Sequence, residues 1–411
     1  MNYELFLAKR IIAAKQYKSS ISSPIIKIAI TAISLGIIIM LISIATGVGL
    51  QQKIKEKISG FNGHVQITNF EDNNSQITVT PISIDQPFFP NFENVEGIKN
   101  VQVFATKAGI IRTESDFEGV IFKGVGAEFD WSFFNSYLTE GTVLTVSDKI
   151  SNSVLISKTT ADRLDLKVGD KFNLFFVKDD PSKPPNVRVF SVSGIYNTGF
   201  KEFDENYVMG DIKHIQRLNK WEPNEIGGFE VLLNDFDELE QKGNEIYQNI
   251  SSTLNAQTIS EKYPAIFEWL QLFNTNIIVI IGIMILIAGI NMITALLVLI
   301  LERTQMIGIL KALGSSNWSI RKVFLYNAAY LITIGLFWGN LIGIGLLLIQ
   351  KYGGVIQLNP ESYYVSEAPV YIGIEYILLL NVGTLILCLI MLLIPSYIVS
   401  KISPTKAIKF D

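Results

Sequence analysis

Few side chains in this sequence are of the types that carry out chemistry. It holds two histidines, His64 and His214, and one cysteine, Cys388. A zinc site needs several nitrogen, sulfur or carboxylate ligands close together, and neither histidine has a second nitrogen or thiol ligand near it in the sequence. Acyl transfer needs a nucleophile beside a base, and no GxSxG pattern occurs. The sequence therefore predicts neither a metal site nor a hydrolase.

The sequence also lacks the loop that a nucleotide hydrolase would need. No GxxxxGK[ST] pattern, whose backbone amides hold phosphates, occurs in the 411 residues. Acidic pairs such as Asp179 with Asp180 and Asp235 with Asp237 stand in turn or cap positions, where contact with water explains them. We therefore predict a protein that is not an enzyme and binds no cofactor itself, so that the energy for its work comes from a partner.

Four long apolar runs account for much of the chain. Hydrophobic residues make up 49% of the sequence and charged residues 18%. A helix needs about 20 apolar residues to cross a hydrocarbon core of about 30 Å. The runs that meet this length are 24–50, 272–301, 323–350 and 376–400. We predict four transmembrane helices, the first of them a retained anchor rather than a cleaved signal peptide.

Basic residues beside these runs indicate the topology. Lysine and arginine concentrate before the first run, between the second and third, and after the fourth, whereas the loop 351–375 has one lysine and three glutamates. Short basic flanks stay in the cytoplasm. We expect a multi-pass protein of the cell inner membrane, with both termini, the segment 302–322 and the tail 401–411 in the cytoplasm. The loop 351–375 is then a short periplasmic loop.

The segment 51–271 is expected in the periplasm. It holds 32 acidic and 21 basic residues, a net charge of −11, so nucleic acid is not expected as a partner. Runs of Val, Ile and Phe bounded by turn residues predict strands at 64–70, 101–112, 117–125, 154–157, 171–177, 187–196, 207–209 and 229–233. Helices are expected at 158–164 and 236–251, the second with Asp235 as its N-cap. We predict an α+β domain, in which a split βαβ subdomain carries an inserted mainly β subdomain at about 128–225.

Amphipathic segments flank the apolar runs. Residues 1–23 predict a helix at the cytoplasmic interface, or alternatively a solvated lead-in helix. After the first run, Leu50, Ile54 and Ile58 recur every four residues among charged residues, which predicts a stalk between membrane and outer domain. A similar stretch before the second run predicts a second stalk. Two stalks could transmit movement between the compartments.

Small and polar residues inside the runs predict helix contacts. Gly335, Gly339 and Gly343 lie at four-residue spacing, which allows close approach of another helix, either in the same chain or across a dimer. Polar side chains in a membrane helix usually face protein or a cavity. We expect this of Asn291, Thr294, Asn340 and Asn381.

The segment ERTQMIGILKALGSSNWSIRK interrupts the apolar region at 302–322. Met306, Ile309, Leu310 and Leu313 fall at i, i+3, i+4 and i+7, which predicts an apolar stripe on a short helix that rests on lipid or fills a groove on a partner. A protein of transport architecture without a phosphate loop needs a cytoplasmic site for an ATPase, and this is the only internal cytoplasmic segment. The predicted ATPase-coupling residues are Glu302, Arg303, Met306, Ile309, Leu310, Lys311, Leu313 and Gly314.

The sequence INMITALLVLILERTQMIGILKALGSSNWSIRKVFLYNAA, residues 290–329, resembles the FtsX/MacB-like ABC transporter permeases. Further matching pieces are FLAKR, GHVQI, VLISKTTADRLDLKVGDKF, FSVSGIY and ISPTKAIK, so the resemblance extends over nearly the whole chain. Within this family it is similar above all to the LolC/LolE-type permease subunits of the lipoprotein-releasing Lol system.

This resemblance implies a permease subunit that extracts lipoproteins from the inner membrane and hands them to a periplasmic lipoprotein carrier. It implies a separate cytoplasmic ABC ATPase that uses ATP and Mg²⁺, a second permease subunit in a homo- or heterodimer, and contact with membrane lipid. A MacB-like efflux or mechanotransmission permease that acts on a periplasmic or outer-membrane partner is the alternative. A membrane-anchored sensor or scaffold without a transport role is a third interpretation.

The resemblance also implies a carrier-binding hook in the outer domain. The loop VKDDPSKPPNVRV falls in the equivalent interval, and its prolines lie between two strong strands, where proline prevents ladder pairing and stiffens the chain. It is either an ordinary long hairpin connection or an arm that docks another protein. On the second interpretation the carrier-binding residues are Lys178, Asp179, Asp180, Pro181, Pro184, Pro185 and Asn186.

Overall fold

The structure is a computed structural model that describes residues 3–13, 22–71, 79–113, 116–178, 182 and 184–403, with the backbone alone for residues 22, 23 and 361. A short 3-10 helix, Phe236–Glu238, lies directly before the α-helix Leu239–Asn249. The α-helices are α1 Tyr3–Ala13, α2 Ser22–Asn62, α3 Ser132–Tyr137, α4 Lys158–Leu164, α5 Lys201–Asp204, α6 Lys213–Asn219, α7 Leu239–Asn249, α8 Ile259–Lys262, α9 Pro264–Glu302, α10 Thr304–Ala312, α11 Asn317–Gly353, α12 Pro360–Tyr363, α13 Ile374–Ser396 and α14 Ile398–Lys401.

The chain forms two compact units. The helical unit comprises residues 1–50, 269–357 and 367–411, and the α/β unit comprises 51–268 and 358–366. The strands are β1 Val65–Asn69, β2 Ile82–Ser83, β3 Ile98–Arg112, β4 Phe117–Val125, β5 Leu138–Gly141, β6 Ser153–Ser157, β7 Lys171–Phe176, β8 Asn186–Tyr196, β9 Tyr207–Asp211, β10 Glu225–Ile226, β11 Gly228–Leu233 and β12 Leu254–Thr258.

Among the described residues, four helices are long and apolar enough to cross a membrane: 24–62, 264–302, 317–353 and 374–401. The predicted membrane fold is thereby confirmed. Helices α2 and α9 continue past the ends of their apolar runs, into the segments that the sequence predicts to be stalks. The core of the helical unit is formed by buried apolar residues of the long helices, such as Met40, Met292, Phe324 and Leu392.

Helix α1 packs on helix α11. Ala8 and Ile11 are buried against Val323, and the Ser319 hydroxyl donates a hydrogen bond to the Glu4 carboxylate at 3.0 Å. Leu5 and Phe6, on another side of α1, are exposed. This places the helix predicted within 1–23 at residues 3–13, and it keeps an apolar surface outside the fold.

The α/β unit contains the predicted split βαβ arrangement. Strand β1 lies between β11 and β12 and is antiparallel to both, while α7 connects β11 to β12. Asp235 caps the 3-10 helix before α7, because its carboxylate accepts a hydrogen bond from the Asp237 amide. The α+β fold class is confirmed, and so are the strand at 117–125 and the helix at 158–164.

The inserted strands do not form a separate sheet. The ten-stranded sheet runs in the order β12-β1-β11-β3-β4-β9-β6-β8-β5, and β7 pairs with both β3 and β8. Strands β3, β4, β9, β6, β8 and β7 therefore close into a ring. The predicted β insertion thus shares the long strand β3 with the split βαβ part, since its 15 residues are long enough to serve both.

Candidate functional site

The segment between helices α9 and α11 forms a helix-turn-helix. Helix α9 ends at Glu302, Arg303 leaves the helical conformation, and α10 follows. Gly314 adopts a φ of +91°, a left-handed conformation that residues with a Cβ rarely adopt, and so ends α10. The Ser316 hydroxyl accepts a hydrogen bond from the Ser319 amide and caps α11. We call residues 302–322, which the sequence predicts to contact an ATPase, the coupling segment; it has a defined structure whose turns follow from its sequence.

The predicted apolar stripe of α10 is divided between core and surface. Ile309 is 47% exposed and Leu313 is 78% exposed. Met306 and Leu310 are partly buried and pack against the core of the helical unit. Because an amphipathic helix on the surface of a bundle must bury part of its apolar face, only the outer part of the stripe is available to a partner.

Lys311 points to the end of helix α14. Its Nζ atom donates hydrogen bonds to the backbone carbonyls of Val399 at 2.7 Å, Ser400 at 3.2 Å and Ile402 at 2.8 Å. Burial lowers the pKa of this lysine. Lys311, one of the predicted ATPase-coupling residues, thus uses its three donors within the chain, on carbonyls at the end of α14 that have no intrahelical partners. Glu302 is exposed and Arg303 is half-buried.

An exposed tryptophan, which the sequence reasoning did not single out, extends the surface of the segment. Trp318 lies in the first turn of α11, and the Arg321 guanidinium stands 5.1 Å from its ring centroid. Arg321 also donates to the Ser396 hydroxyl at 3.0 Å and to the Leu393 carbonyl at 2.8 Å, which ties α11 to the end of α13. The signal was available, because a lone tryptophan in a short polar segment is a typical interface residue.

Both histidines have structural roles. The His64 Nδ1 atom accepts a hydrogen bond from the Leu233 amide at 3.2 Å, and burial, with a smaller contribution from Lys99, lowers its pKa to about 4. A ring nitrogen of His214 contacts the Ser151 carbonyl at 2.8 Å, and burial lowers its pKa as well. Within the described part of the chain, no three His, Cys, Asp or Glu side chains gather closely enough to hold a metal ion.

Two protein families match most of the chain. The MacB-like periplasmic core domain family matches residues 28–248, more than half of the 411 residues. The FtsX-like permease C-terminal family matches residues 278–404, which include the whole helix-turn-helix of the coupling segment. This chain is an FtsX/MacB-like permease.

Relatives of the permease match it along nearly its full length. The lipoprotein-releasing system transmembrane protein LolE of Haemophilus influenzae is 22% identical over 99% of both chains. LolC of Buchnera aphidicola is 22% identical, over 95% of this chain and 94% of its own. The ABC transporter permease YknZ of Bacillus subtilis is 22% identical over 92% and 94%. The expected family is thereby confirmed.

The glycine row of the permease packs against helix α2 of the same chain. A Cβ atom placed on Gly339 would lie 2.7 Å from the Ile37 Cβ and 2.9 Å from the Ser34 carbonyl oxygen. At Gly335 the nearest side chain is Ile33, and at Gly343 it is Leu41. The Ser34 hydroxyl donates a hydrogen bond to the Gly335 carbonyl at 2.9 Å. The structure therefore uses these glycines for close packing within one subunit.

The polar residues inside the apolar helices fall into two groups. Asn340 on α11 and Asn381 on α13 exchange amide hydrogen bonds of 2.6 and 3.0 Å, as the prediction of protein-facing polar groups requires. Asn291 and Thr294 instead donate to the Ile287 and Ile290 carbonyls of their own helix, α9. Thr294 is exposed, so the prediction does not hold for it within one subunit, because the bond to its own helix already satisfies the hydroxyl donor.

The proline-rich loop of the permease connects two paired strands. Strands β7 and β8 are antiparallel, and their last pair is Phe176 with Asn186. Pro184 and Pro185 are exposed and Lys178 is half-buried. Asp179, Asp180 and Pro181 lie outside the described residues. Beyond the loop, Val187 and Val189 keep their side chains exposed, so the outer side of this hairpin is apolar.

Proposed function

We propose that this permease is the membrane subunit of an ABC transporter that extracts lipoproteins from the cell inner membrane and delivers them to a periplasmic carrier. The observation that carries the proposal is the full-length similarity to LolE and LolC, whose names describe a lipoprotein-releasing system. A separate ABC ATPase, which binds ATP and Mg²⁺, drives the cycle. A second permease subunit, identical or related, completes the membrane part.

In this proposal both termini and α10 face the cytoplasm, and the α/β unit lies in the periplasm. The distribution of lysine and arginine beside the apolar runs supports this orientation. The chain itself then takes no part in ATP hydrolysis. It binds membrane lipid along the apolar surfaces of its four long helices and receives lipoproteins from the same membrane.

The ATPase binds the coupling segment through Ile309 and Leu313, with Trp318 beside them. Their exposure supports this assignment, since large apolar side chains that stay exposed outside a membrane core usually serve an interface. Glu302 and Arg303 lie at the edge of this surface, and Gly314 provides the turn. Met306, Leu310 and Lys311 support this surface indirectly, because they hold α10 against the other helices of the helical unit.

The carrier binds the loop between β7 and β8, at residues 178–186. The exposed Pro184 and Pro185 and the neighbouring exposed valines support this assignment, because proline restricts the backbone and so lowers the entropic cost of binding. Replacing 178–185 with two glycines should abolish carrier association in pull-down experiments. Complexes with an unaltered loop serve as the reference, and undiminished association would exclude the loop as the binding site.

Depletion of the permease from its own cells tests the proposed function. After depletion, lipoproteins should accumulate in the inner-membrane fraction, because nothing else in the proposal removes them from the bilayer. Wild-type protein expressed from a plasmid should restore their delivery, which controls for indirect effects of depletion. Normal sorting after full depletion would overturn the proposal and favour the efflux permease of the MacB-like type instead.

A further inference from the structure

Four aromatic rings stack face to face inside the α/β unit. Tyr364 lies on Phe200 with ring centroids 4.7 Å apart, Phe200 on Phe203 at 4.6 Å, and Phe203 on Phe61 at 4.2 Å. The angles between successive ring planes are 23°, 18° and 6°. Phe61, Phe200 and Phe203 are buried, and Tyr364 is half-buried. We call these four residues the aromatic column.

The column joins parts of the chain that are far apart in sequence. Phe61 lies in the last turn of α2, and Phe200 and Phe203 belong to the start of α5 and to α5 itself. Tyr364 comes from residues 358–366, which belong to the α/β unit, although the residues before and after them belong to the helical unit. The column therefore fixes this short excursion of the chain to the end of α2.

Polar contacts reinforce the column. The Lys57 Nζ atom, one turn before Phe61 in α2, donates a hydrogen bond to the Tyr364 carbonyl at 2.8 Å. The Asn62 amide, directly after Phe61, donates to the Tyr263 hydroxyl at 3.1 Å. The Tyr263 ring stands 6.2 Å from Phe203, edge to face, and Tyr263 directly precedes α9. The start of α9 is therefore attached to the same cluster.

These contacts involve every connection between the two units. The chain passes from one unit to the other at 50/51, 268/269, 357/358 and 366/367. Phe61 follows the first passage, Tyr263 precedes the second, and Tyr364 lies between the third and fourth. The column and its polar contacts therefore gather residues near all four passages into one cluster.

The conformation of Tyr364 indicates that its place in the column is enforced. Its φ of +60° lies in the left-handed region, which costs a residue with a Cβ free energy and persists where surrounding contacts hold it. Here the contacts are the Phe200 ring on one side and Lys57 on the carbonyl. Stacked rings with buried faces resist sliding, because displacement exposes apolar surface.

We propose that the aromatic column, with Lys57 and Tyr263, is the coupling element that makes α2, α9 and residues 358–366 move as one body during transport. The proposal rests on the proposed function, since it assigns these residues a positioning role in ATP-driven lipoprotein release. Movement that starts at any one connection then reaches the α/β unit through all of them together. The segment 358–366 stays docked throughout the cycle.

Breaking the column should separate ATP hydrolysis from release. The complex of both permease subunits and the ATPase, in liposomes that contain a fluorescent triacylated lipoprotein, allows both rates to be measured. For Tyr364→Ala and for Lys57→Met, we expect the lipoprotein released per ATP hydrolysed to fall roughly tenfold while the ATPase rate changes less than about twofold. Tyr364→Phe keeps the ring and should retain the wild-type ratio.

Tyr363→Ala is the matched control, because Tyr363 is an exposed neighbour in the same segment. An unchanged ratio in both Tyr364→Ala and Lys57→Met would overturn the proposal. Failure of the wild-type complex to release lipoprotein would instead overturn the proposed function, so the two failures are distinguishable. If Tyr364→Ala does not assemble, Lys57→Met and the cross-link below decide.

A disulfide tests whether the segment stays docked. A Cβ atom on Gly199 would lie 4.0 Å from the Pro360 Cβ, within the range that disulfides span. Gly199→Cys with Pro360→Cys should therefore form a cross-link, and the native Cys388 is buried and does not compete. Gly199 has a φ of +65°, which costs a cysteine free energy, so the reduced double variant rather than wild type is the reference. Oxidation should leave the ratio of release to hydrolysis equal to that of the reduced variant. Loss of release on oxidation, restored by a reductant, would show that the segment must detach and would overturn the proposal.

Discussion

The Lys123 Nζ atom lies 2.6 Å from the Glu230 Oε1 atom, and the two side chains are 2% and 0% exposed. The lysine also donates a hydrogen bond to the Phe61 carbonyl near the end of α2, and the glutamate accepts bonds from Gln66 at 3.0 Å and Gln102 at 3.1 Å. Burial lowers the pKa of Lys123, while the charge of Glu230 opposes this shift. The pair thus anchors the end of α2 to strands β1, β3, β4 and β11.

Removing one member of this pair should destabilise the permease strongly. Lys123→Met leaves the Glu230 carboxylate buried without its cation, and loss of one partner of a buried ion pair typically costs about 3–5 kcal/mol. Thermal unfolding of the full chain in detergent should therefore show a clear decrease in the melting temperature, or no folded protein.

The double variant Lys123→Met/Glu230→Gln is the control for this interpretation. The single oxygen of its neutral amide can accept from either Gln66 or Gln102, so the buried charge disappears while one of the two bonds remains. We expect it to melt at a higher temperature than Lys123→Met alone. A double variant less stable than the single variant would contradict the role of the uncompensated charge.

His64 should make the stability of the permease depend on pH. Its folded-state pKa of about 4 lies below the ordinary value of 6.5 because the ring is buried. Between these two values the unfolded chain binds a proton that the folded chain does not, so the free energy of unfolding falls as the pH decreases from 6.5 to 4. The full loss from this group is about 3 kcal/mol.

The variant His64→Gln isolates this contribution. Glutamine can still accept the hydrogen bond from the Leu233 amide but does not titrate. Urea unfolding at several pH values gives the free energy of unfolding of wild type and variant. Below pH 6.5 the free energy of unfolding of wild type should fall relative to that of the variant. Parallel pH profiles would rule out His64 as the cause.

The sequence was sufficient to predict the long apolar helices and the strongly apolar strands, because hydrophobic periodicity sets them locally. The strand at 117–125 and the helix at 158–164 are found with those bounds. Strand β12 was missed, since its sequence LNAQT is polar and only pairing with β1 makes it a strand. The closure of β7 onto β3 was missed for a related reason: long-range pairing leaves no periodic signal in either strand.

The buried charges were also beyond sequence reasoning. Lys123 and Glu230 alternate with apolar residues in their strands, as solvent-facing residues do, but they face the end of α2. The contacts of Lys311 could not be predicted from the sequence either, because its partners are three carbonyls 88 to 91 residues away. Ile309 and Leu313 are exposed, whereas Leu310 packs against the core. The difference depends on which side of α10 packs on the other helices, and the spacing of the apolar residues alone does not determine that side.

Because α11 packs closely on α2, we predict that two glycines of α11 differ in how well they tolerate replacement by alanine. Gly339→Ala places a methyl group 2.7 Å from the Ile37 Cβ and 2.9 Å from a backbone oxygen, so the helices must separate. Overpacking of this kind costs about 1–3 kcal/mol. The melting temperature in detergent should decrease accordingly.

Gly345→Ala is the matched control, because no atom lies within 4 Å of its added Cβ. Alanine favours the helix over glycine by up to about 1 kcal/mol, so this variant should be as stable as wild type or slightly more so. Equal melting temperatures for the two variants would contradict the packing of Gly339 on α2.

The ATPase assignment predicts that Ile309→Asp with Leu313→Asp prevents association of the ATPase. Both side chains are exposed, so aspartate should leave the fold intact, whereas an apolar interface loses its contacts and gains buried charge. Co-purification with the ATPase should fall at least about tenfold, because truncation of interface hot spots costs about 2 kcal/mol or more.

The control for this variant is Tyr352→Asp, which alters an exposed aromatic residue at the opposite end of α11 and should leave the complex intact. Leu310→Asp is less informative, since Leu310 packs against the core and its replacement should lower the melting temperature. A folded Ile309→Asp/Leu313→Asp variant that retains the ATPase would exclude this surface. The ATPase would then have to bind elsewhere. The exposed side chains of Ile309 and Leu313 would instead contact lipid.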